Sequence, residues 1–137
     1  IPELMEKTAN LLALAPDTAV ALCHAGSPHD RSGDGLTRWA GELRALSNLP
    51  QVRCKLSGLS MFNHNWEPED FCRIVETCLD QFGPNRVMFG SNFPVDKLYS
   101  NYATLAQTYR NLVPREMHQA VFNDTAADFY SIFPVHV

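Results

Sequence analysis

Leu4, Leu11, Leu12 and Leu14 are spaced to form one apolar stripe on a helix spanning residues 3–14, which Pro16-Asp17 stops. The period then changes. Residues 19–23 (AVALC) form a continuous apolar run, as in a strand buried on both faces of a parallel sheet. That run ends abruptly at His24-Ala25-Gly26-Ser27-Pro28, and a polar, Gly-rich loop continues to Gly35. Helical periodicity returns over 36–46, with Trp39, Leu43 and Leu46 on one side. A second cycle follows: a strand over 52–56 opening into Ser57-Gly58, a loop over 59–67, and a helix from Glu67 or Pro68 to about Phe82. Gly83-Pro84 ends that helix, and a third strand, 87–89, runs into Gly90-Ser91-Asn92. Helices are then expected near 102–112, from Pro114 onward, and near 125–132. Asn123-Asp124-Thr125 would supply capping side chains for the last.

Three strand–loop–helix cycles with near-continuously apolar strands predict an α/β fold, a parallel sheet built by right-handed crossovers. The 137 residues fit one domain, 1–137, with an ordinary globular composition of 45% hydrophobic and 19% charged residues. The net charge of -4 and the scattered Lys and Arg argue against a nucleic-acid partner. No apolar run reaches the roughly 18 residues of a membrane span, so no membrane partner is expected either. The four cysteines form no C-x-x-C pair. They read as buried free thiols in a reducing compartment, which makes the cytoplasm the expected location.

Candidate chemistry lies where strands end, because α/β sheets and barrels place their sites at the carboxyl ends of strands. HAGSP at 24–28, KLSGL at 55–59 and FGSNFPVD at 89–96 occur in such places. Their order and spacing resemble the carboxyl-terminal half of the "amidohydrolase 2" barrels of the amidohydrolase superfamily, which include sugar lactonases and dicarboxylate lactonases. GLTRWAGELRALSNLPQVRCKLSGL and FNDTAADFYSIF extend the likeness over nearly the whole chain.

The resemblance implies a partial (β/α)8 TIM barrel made of about the last three strand–helix units. A whole barrel takes about 250 residues, and the family's first-strand H-x-H motif is absent here. The chain is therefore expected to be the carboxyl-terminal half of such a barrel, with open sheet edges that favour self-association or pairing with the missing half. The implied function, for the full-length form, is a hydrolase that opens a lactone or related cyclic ester or amide by water attack. The fragment alone would be inactive. Alternatives are a non-hydrolytic ligand-binding or inactive barrel and a decarboxylase on the same scaffold.

The resemblance also implies site residues. His24 would bind a metal or the substrate carbonyl, with a small molecule as substrate. Asn92 stands where the family places an Asp that acts as general base, and an amide neither accepts a proton at neutral pH nor ligates a divalent cation well. A zinc or manganese ion is thus allowed by the family, and its absence is allowed by Asn92. Asp96, in the same loop, is the nearest carboxylate, so His24, Asn92 and Asp96 form the catalytic candidates. Arg31 could hold a carboxylate. Lys55 and Ser57 alternate toward the end of the second strand, and His64 and Trp66 could line a ring-binding pocket. The last two histidines, His118 and His136, read as surface residues.

Overall fold

The structure, a computed structural model, describes residues 4–132. Its centre is a parallel three-stranded sheet in the order β1-β2-β3, formed by Val20–Leu22 (β1), Val52–Leu56 (β2) and Val87–Phe89 (β3). The register pairs Leu22 with Cys54 and Lys55 with Met88. Five helices of the α type accompany it: Met5–Leu12 (α1), Gly33–Ser47 (α2), Glu69–Phe82 (α3), Tyr102–Leu112 (α4) and Thr125–Phe129 (α5). The expected α/β architecture of successive parallel strand–helix units is present.

The sheet has two unlike faces. Val52, Cys54 and Leu56 are buried toward the helices, with Cys54 Sγ 3.6 Å from Cys78 Sγ of α3. Phe71, Ile74, Val75, Cys78 and Leu79 of α3 complete that core together with Trp39, Leu43 and Leu46 of α2. On the other face of β2 stand Arg53 and Lys55, both half-buried. Lys55 Nζ donates to Tyr130 Oη at 2.7 Å, and Arg53 lies 4.0 Å from Asp128, so the end of the last helix reaches this face. A cation in a strand needs such a partner or water.

Most boundaries follow the pattern of the chain, and the differences have local causes. Helix α2 starts at Gly33 and not near Leu36, because Ser32 caps it by accepting from the Gly35 N–H at 3.0 Å. Helix α1 turns a different face inward from the one its leucines suggest. Met5 and Ala9 are buried, while Leu11 and Leu14 are 67% and 82% exposed. Among the described elements it packs mainly on α2, and Met5 also lies against Gly26. The expected break at residues 123–125 is absent. The chain passes from a 3-10 turn at Arg115–Met117 through a π-helical turn at Ala120–Asp124 into α5. Asp124 accepts from Gln119 and Asn123 side chains, each at 2.8 Å, and caps nothing. His118 does not sit free on the surface: its Nε2 is 2.9 Å from the Arg110 carbonyl and 3.0 Å from that of Val113. The expectation for His136 lies outside the described residues.

All four cysteines are free, as expected, but only Cys54 and Cys78 are buried. Cys23 is exposed because β1 ends one residue earlier, at Leu22. Among the described residues no helix is long and apolar enough to cross a membrane.

Trp39 ties α2 to the chain after β1. Its indole is 1% exposed and Nε1 donates to the Ala25 carbonyl at 2.8 Å. Trp39→Phe keeps an aromatic ring but strands that buried carbonyl, so urea denaturation should show a loss of about 1–3 kcal/mol with an unchanged m-value. An unaltered midpoint would count against this anchor.

Candidate functional site

The site is built at the carboxyl ends of the three strands. After β1 the chain turns sharply through Cys23–Gly26, with His24 (φ 56°) and Ala25 (φ 50°) both in the left-handed region. Non-glycine residues pay roughly 1–3 kcal/mol for such a conformation, and it persists only where the surroundings over-determine it. Here they do. The His24 N–H donates to Ser57 Oγ at 3.3 Å, the His24 ring Nδ1 lies 3.0 Å from the same oxygen, and Trp39 holds Ala25. The imidazole is thereby folded across the end of β2, half-buried, with Nε2 left over.

Gly58 makes room for that ring. It has φ +59°, and a Cβ placed there would come within 2.5 Å of His24 Nδ1 and 2.9 Å of Met61 Cε. Gly90 works in the same way on the neighbouring strand end, since a Cβ there would meet Lys55 Cδ at 2.9 Å and Ser57 Cβ at 3.3 Å. The two glycines of KLSG and FGSN are therefore demanded by close approach to the side chains between them.

After β3, Asn92 also takes a left-handed conformation (φ 55°), one that Asn tolerates better than most residues. Its Nδ2 donates to Asp96 Oδ1 at 2.8 Å and approaches Met61 Sδ at 3.3 Å. A carboxylate oxygen only accepts, so the amide nitrogen must face Asp96 and the amide oxygen must face away. Met61 thus touches Asn92 on one side and lies beside the His24–Gly58 contact on the other, so the chain segments after the three strands meet there. Asp96 is fully buried, and its second oxygen has no partner among the described residues. The phenol of Tyr109, also buried, is held well above its ordinary pKa by burial and then by the charge of Asp96. It stays a neutral hydroxyl at any ordinary pH.

The other candidates are placed as follows. Arg31 is turned to loop backbone: its guanidinium donates to the carbonyls of Pro28, Leu59 (2.9 Å) and Asp70 (3.3 Å) and lies over the Phe62 ring. Burial lowers its pKa from the usual arginine value, with Asp70 pulling the other way. Lys55 is paired with Tyr130, and Ser57 with His24. His64 stacks on Tyr99 at 4.1 Å between ring centroids, and Trp66 on Phe71 at 4.8 Å. His64, Trp66, Glu67, Tyr99, Ser100 and Thr104 line an open groove between the loops after β2 and β3. Of the candidates, then, the structure joins His24 to Ser57 and Asn92 to Asp96, with Met61 between the pairs. Met61 and Tyr99 carried no signal in the sequence, since neither follows a strand directly.

The family model described as "Amidohydrolase" (Amidohydro_2) matches residues 1–132. The chain belongs to that family. The uncharacterised protein y4mH of Sinorhizobium fredii is 36% identical over 131 residues, covering 93% of this chain and 44% of its own length. An L-fucono-1,5-lactonase of Burkholderia multivorans is 36% identical over 128 residues, covering 82% of this chain and 43% of that protein. An amidohydrolase from Burkholderia multivorans, solved with bound HEPES in one crystal form and bound zinc in another, superimposes with a TM-score of 0.85. It is 31% identical, and the match covers 96% of this chain and 50% of that one. The chain thus spans about half the length of the relatives it matches, and its three strand–helix units are part of the barrel.

The donor set does not by itself make a site for a divalent metal. Among the described residues no group of three or more His, Cys, Asp and Glu side chains converges. At the cleft the amidohydrolase chain offers one imidazole nitrogen, while Asn92 presents an amide and Asp96 accepts from it. A catalytic zinc site needs three protein ligands.

Two substitutions probe this geometry. Gly58→Ala should push the His24 ring off Ser57, weakening ligand binding at the cleft and lowering stability by about 1 kcal/mol for the left-handed φ; calorimetry on the whole protein with unchanged values for both would count against the contact. Asn92→Asp would set a second carboxylate against Asp96, raising a folded-state carboxyl pKa above its unfolded value. That variant should match wild type most closely at acid pH and lose stability relative to it as pH rises from about 4 to 7. A difference that is flat with pH would rule out the direct contact.

Proposed function

We propose that the whole protein is a hydrolase that opens a lactone, or a related cyclic ester or amide, by water attack on the ring carbonyl. The observation that carries this reading is that His24 and Asn92, each in a left-handed turn just past a strand end, are brought together through Met61. The family membership and the L-fucono-1,5-lactonase relatives support the same class of reaction.

His24 polarises the carbonyl, and Asn92, steadied by Asp96, orients the substrate through its amide oxygen. Asp96 cannot meet substrate while fully buried, so it acts through Asn92. The proton from the attacking water goes to a carboxylate contributed by another part of the whole protein. The groove with the His64–Tyr99 stack would hold the rest of the substrate, since a ring face suits an aromatic platform. The open edges of β1 and β3, each paired on one side only, are where further strands or a second copy would add.

A second reading, ligand binding without turnover, draws on Asn92 itself. An amide at this position, with the Asp96 carboxylate buried behind it, leaves neither of these two residues as an exposed base. A panel of sugar and dicarboxylate lactones, assayed with metal analysis of the whole protein, separates the two. Turnover that falls at least 100-fold in His24→Ala with retained folding supports the hydrolase. Tight lactone binding with no turnover in wild type would replace it with the binding reading.

A further inference from the structure

We infer that Ser57 fixes the tautomer of neutral His24, so that Nε2 carries the proton and the imidazole offers the cleft a hydrogen-bond donor. The inference comes from counting donors and acceptors at one oxygen. Ser57 is 2% exposed, and its only hydrogen-bond partners among the described residues are the backbone N–H of His24 and the ring Nδ1 of His24. The N–H can only donate, so Ser57 Oγ accepts there.

Two arrangements remain for the 3.0 Å contact with Nδ1. If Nδ1 were protonated, it and the backbone N–H would both donate to Oγ, and the hydroxyl hydrogen would be shut in with no acceptor. If the hydroxyl donates to Nδ1, the buried hydroxyl and Nδ1 are both met, and only Nε2, on the half-buried ring, is left over. Buried polar groups are satisfied far more often than not, and a stranded donor is costly. The second arrangement therefore holds: Nδ1 is the acceptor and Nε2 bears the hydrogen. A flip of the ring would set Cδ2 in place of Nδ1 against Ser57 Oγ and lose that hydrogen bond, so the same contact fixes the ring's orientation.

The consequence rests on the proposed reaction. An Nε2–H group can hydrogen-bond to the carbonyl oxygen where negative charge grows as water adds. It cannot take the proton from that water, and it has no lone pair on Nε2 for a metal. Ser57 is thus a positioning residue, acting on substrate only through His24.

The test is long-range 1H–15N NMR of the whole protein with labelled histidines, five of which lie in this chain, at a pH where His24 is neutral, with His24→Gln to assign the signals. Wild type should show Nε2 with the shift of a protonated nitrogen and Nδ1 with that of an unprotonated one. Ser57→Ala should lose this single tautomer. Ser57→Asp, which supplies only acceptors, should exchange the two shifts; if it does not fold, wild type and Ser57→Ala decide. A protonated Nδ1 in wild type, or an unchanged pattern in Ser57→Ala, overturns the inference. The stated tautomer in a protein that turns over no lactone would remove the proposed reaction and leave the Ser57–His24 assignment standing.

Discussion

The contact between Ser57 and His24 is the interaction on which the site depends. It joins the ends of β1 and β2, and it holds a histidine in a backbone conformation that the residue does not favour alone. The strain is local and its support comes from elsewhere in the chain: a serine 33 residues away binds the backbone and ring of His24, and an indole 14 residues on binds Ala25. Neither support is adjacent in sequence. The turn is consequently rigid only when the α2 layer and the β2 strand are both in place, which ties the site to the core.

The same principle operates at the other end of the cleft. Asn92 reaches its left-handed conformation with its amide spent on a buried carboxylate, and that carboxylate sits beside a buried phenol. The arrangement is electrostatically one-sided. A neutral amide satisfies Asp96 without adding charge, whereas an acid at position 92 would need a proton or a cation between the two carboxylates. The amide of Asn92 is thus matched to the carboxylate beneath it. Asp96 belongs with Asn92 as a unit, and the two are best considered as one hydrogen-bonded element of the amidohydrolase cleft.

Much of this fold was legible in the chain, and the failures share a cause. β1 and β3 stood out as short apolar runs, and β2 as an alternation in which Val52, Cys54 and Leu56 are buried and Arg53 and Lys55 half-buried. The α3 helix was equally clear from Phe71, Ile74, Val75, Cys78 and Leu79. The α1 leucines misled because contact mainly with α2 buries a narrow edge, and Met5 with Ala9 occupies it. The capping residues at 123–125 misled because a π-helical turn carries the chain through them, and side-chain partners for Asp124 arise from the turn before. His24, Ser57, Asn92 and Asp96 were singled out from strand ends and motif resemblance, and the structure pairs His24 with Ser57 and Asn92 with Asp96. Arg31 was legible as a residue type but not as a role, since its partners, the Leu59 and Asp70 carbonyls, come from the next strand–helix unit, while Trp66 stacks on Phe71 of its own unit.

The sequence by itself determined the class of fold, the positions of the strand ends and the family, because hydrophobic period and turn residues act over short stretches and leave a local record. Only the tertiary structure decided which polar groups meet. Whether Ser57 faces His24, and which nitrogen of the imidazole is left over, depend on distances between segments tens of residues apart, and whether Asn92 donates to Asp96 depends on the fold of the loop that holds both. Hydrogen bonds are directional and their partners are set by packing, so no pattern along the chain records them.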